Sequence, residues 1–160
     1  MRLVGKVFEC EIQARLRDIN LGGHVDNVEA IRVLDEARLM FFRHARLAEG
    51  DEPRGLLRDL PKGVTELVGS QHVEYHAEMR FAAYQPFLVR IWVSHVSRSS
   101  FAVSLELRVA PDHPPAVVAE TSAVFWDTAA GSSWPISDQV RAALAAYAGE
   151  PVALRPRPGH

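Results

Sequence analysis

Between residues 16 and 27 the chain reads LRDINLGGHVDN, which holds two carboxylates, two amides, an imidazole and adjacent glycines. Carboxylate and imidazole groups can hold or move a proton. Gly22 and Gly23 permit backbone turns closed to other residues, so the amides of Gly23 and His24 could turn toward an oxygen gaining negative charge. Asn20 offers an amide to water or to a carbonyl. The plain alternative is a polar turn that starts a helix. Asp26, with Glu29 three residues later, fits a capping box, and Asn27 shares that role. Asp18 is either a proton acceptor or the partner of Arg15 or Arg17.

Three further groups carry candidate chemistry. On a helical wheel Asp35 falls in the apolar sector between Val28 and Phe42, with Arg38 one turn on as its natural partner. Its neighbour Glu36 falls on the charged side with Glu29 and Arg32. In VSRSSF, Arg98, Ser99 and Ser100 could bind a phosphate or simply form a hairpin tip. His72, Glu74 and His76 alternate along a strand, but no cysteine or further acid completes a ligand set, and no metal is expected.

Positioning these groups needs a strand before the polar stretch and a helix after it. Residues 7–17 alternate, with Phe8, Cys10, Ile12, Ala14 and Leu16 on one side. Residues 27–50 repeat with a helical period and stop at Gly50. A loop rich in proline and glycine follows, then strand-like stretches at 64–80, 86–97, 101–109 and 116–126. A short helix is expected over 137–148. The whole predicts one α+β domain over residues 1–148, with an antiparallel sheet wrapped around a long helix. Residues 149–160 are expected to be a disordered tail. Exposed sheet edges point to a homodimer at least.

Composition narrows the partners. Of 160 residues, 48% are hydrophobic, and 18 basic against 20 acidic side chains leave a net charge of -2. That balance argues against nucleic acid and anionic membrane as partners. A single cysteine, no signal-peptide core and no run long enough to span a bilayer suggest a cytoplasmic protein.

RLRDINLGGHVDN followed by LDEARLMFF resembles the hotdog-fold acyl-CoA thioesterases of the 4-hydroxybenzoyl-CoA thioesterase-like group. That group shows an Arg-x-x-Asp-x-Asp stretch, then Gly-His-Val-Asn-Asn, then a helix with an acid-acid-Ala-Arg run. Weaker echoes extend the resemblance to about residues 5–147, through VEYHAEMRFAAYQPFLVRIWVSHVSRSSF, VFWD and WPISDQVRAAL. It implies a curved antiparallel sheet of five to six strands around one long helix, in dimers or tetramers without a cofactor. It also implies hydrolysis of an acyl-CoA or acyl-carrier-protein thioester between two protomers. The Gly23 or His24 amide would polarise the carbonyl, and Arg98, Ser99 and Ser100 would hold coenzyme phosphate. Asp35 matches an aspartate beside the acyl pocket, and Glu36 continues the acidic run.

One departure stands out. The family's catalytic acid is the second of Asp-x-Asp, and that position is Asn20, which cannot act as a base. Under hydrolysis Asn20 would hold the water or the carbonyl, and Asp18 or Asp35 would take the proton. A (3R)-type enoyl-thioester hydratase is an alternative, since Asp18, Asn20, His24 and Asp26 follow its motif order with one extra residue and no proline. A non-catalytic acyl-thioester-binding protein is the third reading, motivated by the missing acid.

Overall fold

In the computed structural model, which describes residues 5–159, Phe8–Ile12 forms β1 with alternate residues turned inward. A single tight turn at Leu16–Asp18 ends that run, and α1 begins at Asn27. Four long strands follow: β2 (Val64–Tyr75), β3 (Phe87–Val96), β4 (Ser100–Arg108) and β5 (Val117–Asp127). A two-residue β6 (Ser132–Ser133) and α2 (Asp138–Ala145) complete the elements. The sheet is antiparallel in the order β1-β3-β4-β5-β2, with β6 beside β5. Register shifts between Val68 and Ser70 and between Val93 and His95 are bulges that help curl it. This is the expected α+β architecture.

The central helix is shorter than its hydrophobic period suggests. Regular α-helix runs Asn27–Leu39 and a wider π turn covers Met40–His44, giving 18 residues rather than a helix reaching residue 50. The cause is the returning loop. Gly55, Leu56 and Leu57 donate to the carbonyls of Ala45, Phe41 and Phe42, satisfying the groups that a longer helix would have used. Gly55 has φ +69, and a Cβ there would run into the Phe42 backbone, so only glycine fits.

The π turn also shifts the helical phase. The stripe facing the sheet is Ala30, Val33, Leu34, Ala37 and Phe41, all buried, while Val28 is 53% exposed. Beneath the far end of α1 lies a chain of aromatic contacts. Phe41 stacks on Phe8 at 4.8 Å and meets Tyr147 edge-on at 4.9 Å. Phe42 leads to Phe101 at 5.5 Å, Phe101 to Phe125 at 4.9 Å, and Phe125 to Trp134 at 5.8 Å.

The C-terminal segment is tied to the sheet as far as Arg155. Trp92 donates its indole N–H to the Glu150 carbonyl at 2.6 Å, the Val152 amide donates to Ser104 Oγ at 3.0 Å, and the Arg155 amide donates to Glu74 at 2.7 Å. These partners stand on β3, β4 and β2, so the segment straps the face of the sheet turned away from α1. Composition alone misses it because backbone donors bind regardless of side chain. Among the described residues, no helix is long and apolar enough to cross a membrane.

Candidate active site

The polar stretch folds around one side chain. Asn20 Oδ1 accepts the amides of Gly22 at 3.0 Å and His24 at 3.2 Å, while its backbone carbonyl accepts the Gly23 amide at 3.0 Å. Its own amide donates to the His24 carbonyl at 2.8 Å. Two donors on one atom fix which end of the side chain is oxygen, so the Nδ2 group is what Asn20 can offer to a ligand. Gly23 holds φ +81, the left-handed value this tight elbow demands. The expected oxyanion donors, Gly23 and His24, are therefore already committed to Asn20.

The elbow is anchored on both sides. Val25 donates to the Met79 carbonyl at 2.7 Å, and Asp26 donates to the Asp18 carbonyl at 2.8 Å. Asp26 Oδ1 then caps α1 by accepting the Val28 amide at 2.9 Å, as its capping pattern predicts. From β2, Tyr75 donates its hydroxyl to the Asn27 carbonyl at 2.9 Å. Burial, and after it the Asp26 charge, push the Tyr75 phenol above its ordinary value, so it stays a donor.

Between elbow and β2 lies a cleft of about 460 Å³, lined by Asn20, His24, Asn27, Tyr75, His76 and Glu78 among others. Glu78 Oε2 stands 3.4 Å from His24 Nδ1 and 4.0 Å from Arg80. Tyr75 and Glu78 had no part in the sequence reading of the site. Their sign was present in VEYHAEM, next to the His72–Glu74–His76 row, but which of these side chains meets the elbow depends on where β2 ends.

The other candidates lie elsewhere. Asp18, only 8% exposed, accepts the Arg15 amide at 2.8 Å and holds the turn before the elbow. Asp18, Asp35 and Glu36 line a second groove of about 760 Å³ between β1 and the outer flank of α1. Asp35 is not turned into the core as its wheel position predicts, because the core stripe excludes the Val28 side. Its side chain is 44% exposed and takes both Nε and Nη2 of the buried Arg38, at 3.1 and 2.6 Å. Arg98 is exposed in the β3–β4 turn, and Ser100 Oγ is 2.6 Å from Ser97 Oγ. That turn sits at the opposite end of the sheet from the elbow, about 30 Å away along ten-residue β3. On the outer face, Glu74 is held by His72 at 3.1 Å and His76 at 3.3 Å.

Comparison with known proteins settles the lineage. The model of the thioesterase-like superfamily matches residues 14–144. The chain belongs to that superfamily. Its fold is shared with solved hotdog proteins of low sequence identity. A predicted thioesterase from Bacillus stearothermophilus superposes with TM-score 0.71 at 16% identity, covering 91% of this chain and 99% of that one. A 1,4-dihydroxy-2-naphthoyl-CoA thioesterase from Synechocystis gives 0.70 at 17%, covering 88% and 96%. A hypothetical protein from Staphylococcus aureus in complex with CoA gives 0.72 at 14%, covering 100% and 96%. No curated protein matches the chain in sequence.

Proposed function

We propose that this thioesterase-like chain hydrolyses acyl-CoA thioesters in the cleft between the elbow and β2. The observation that carries the reading is the elbow itself. Asn20 gathers three backbone amides, presents Nδ2, and stands beside His24 and the first residue of α1. A thioester carbonyl entering there meets donors near the positive end of a helix, which favours the charge of a tetrahedral oxyanion. With the Gly23 and His24 amides occupied, Asn20 Nδ2 and the Asn27 backbone N–H take the part expected of them.

A second copy of the chain supplies the rest. The edge strand β2 is twelve residues long, with Leu67 and Val68 exposed at 45% and 44%. Edges of that length invite pairing. Antiparallel pairing of β2 with its copy sets the Val64 end of one protomer beside the Tyr75 end of the other. The partner's sheet end that carries its β3–β4 turn is thereby brought toward this cleft. In that arrangement Arg98, Ser99 and Ser100 would reach coenzyme phosphate from across the dimer.

The geometry weighs against a hydratase built on Asp18 and His24. The Asp18 carboxylate is committed to the Arg15 amide and borders the other groove, whereas His24 borders the cleft. A panel of short, long and aromatic acyl-CoAs, read with a thiol-trapping dye and by enoyl absorbance, tests the proposal. Release of free CoA supports hydrolysis. Loss of enoyl absorbance without thiol indicates hydration, and tight binding with neither signal indicates a non-catalytic binder.

A further inference from the structure

Hydrolysis needs a base, and the family's acid is absent at Asn20. Among the described residues, the other carboxylates near the elbow serve the backbone or the outer face of the sheet, while Glu78 has, besides His24, only a long exposed contact with Arg80 at 4.0 Å. Asp18 holds the Arg15 amide and Asp26 caps α1. Glu74 accepts from His72, His76 and the Arg155 amide on the opposite face of the sheet. Glu78 alone faces His24, at 3.4 Å, and its side chain is 72% exposed and free to turn. His24 Nδ1 is enclosed and has no hydrogen-bond partner in proper geometry. A buried ring nitrogen without a partner is costly, and a small rotation of Glu78 would supply one.

We infer that His24 and Glu78 act as a base dyad in place of the missing acid, an assignment that rests on the proposed thioesterase activity. Glu78 accepts the proton-bearing Nδ1 of His24 and so fixes the tautomer whose Nε2 carries the lone pair. Nε2 takes a proton from water as the water oxygen bonds to the thioester carbon. When the C–S bond breaks, the imidazolium returns that proton to the departing sulfur, leaving free acid and thiol. His24 is the catalytic base; Glu78 is a positioning residue. Placing the acid on the loop after β2 explains how the elbow can keep an amide where relatives keep a carboxylate.

The other charged groups around His24 are accounted for. Tyr75 donates to Asn27, His76 is drawn to Glu74, Asp26 caps the helix, and Arg80 stands on the far side of Glu78.

The test uses the full chain and the acyl-CoA that turns over fastest. Glu78→Gln is expected to lower kcat about tenfold at neutral pH with KM unchanged. Glu78→Asp should restore part of that loss, His24→Gln should lose about a hundredfold, and the double variant should lose no more than His24→Gln alone. The ring-nitrogen NMR signals of His24 read the tautomer without substrate, and Glu78→Gln should lower the share with the proton on Nδ1. An active wild type whose kcat survives Glu78→Gln, or whose His24 tautomer is the same in that variant, overturns the dyad alone. A wild type that releases no thiol from any acyl-CoA overturns the thioesterase reading, and the dyad falls with it.

Discussion

The two ends of the central helix are built on opposite principles. At its C-terminal end, Phe41 and Phe42 are 0% and 1% exposed and belong to an aromatic chain running from Phe8 to Trp134. At its N-terminal end the chain is held by hydrogen bonds around Asn20, with Leu21 fully exposed and the amides of Gly22 and Gly23 folded inward. Packing fixes one end and polar geometry fixes the other. The difference teaches where change is tolerated: apolar packing secures the fold, and the elbow is left to bind and react.

Breaking the packed end should have the larger effect on stability. Phe41→Ala removes a fully buried ring that touches Phe8, Phe42 and Tyr147. It should cost about 3–5 kcal/mol in urea unfolding, with an activity per folded molecule that stays near the wild type where the fold survives. Equal losses of stability and specific activity would show that the two ends are coupled through α1.

Breaking the polar end should invert that pattern. Asn20→Ala leaves the solvent-exposed Gly22 and His24 amides to water, at a cost of about 0.5–1.5 kcal/mol. Thioester turnover should fall about a hundredfold or more, since the donors are no longer aimed. Asn20→Asp keeps an acceptor oxygen for both amides and should retain most of the stability. If Asn20→Ala loses stability but not turnover, the elbow is a structural turn and no more.

The strands and the start of α1 were far more legible in the sequence than the end of α1 or the contacts within the elbow. Alternation in Phe8–Ile12 and in Phe101–Leu107 gave strands and an inner face, because period two has one physical reading. The helix start was equally open, since Asp26 caps it by a local bond. Its end was hidden, because the bonds that stop it come from Gly55, Leu56 and Leu57 beyond a loop. Asp35 shares the flank of Val28, which the core stripe leaves open, while its expected partner Arg38 is the one observed. Within the site, Asn20 and His24 were visible as residues, but not the fact that Asn20 claims the elbow amides. Tyr75 comes from 48 residues beyond Asn27 and Glu78 from well beyond His24, and they meet the elbow only through sheet register.

A smaller test falls on the loop that seals the packed end. Arg58 grips Asp51 with two bonds, at 2.5 and 2.7 Å, and Asp51 also accepts the amides of Leu47 and Glu52. The hydrogen bonds from Arg58 are the main reason its carboxyl is held at about 2, against an ordinary 3.8. A depressed carboxylate pKa means that the folded chain binds fewer protons than the unfolded chain between those values. The stabilisation is therefore complete above pH 3.8 and is lost as pH falls toward 2. Asp51→Asn should remove that dependence, so that the variant and the parent differ in unfolding midpoint at pH 6 and converge in strong acid. The effect should be modest, because the pair lies near solvent, and it should leave the elbow untouched, since no bond joins this loop to Asn20. Loss of turnover in Asp51→Asn with an unchanged midpoint would show that the sealed end of α1 governs the reactive one.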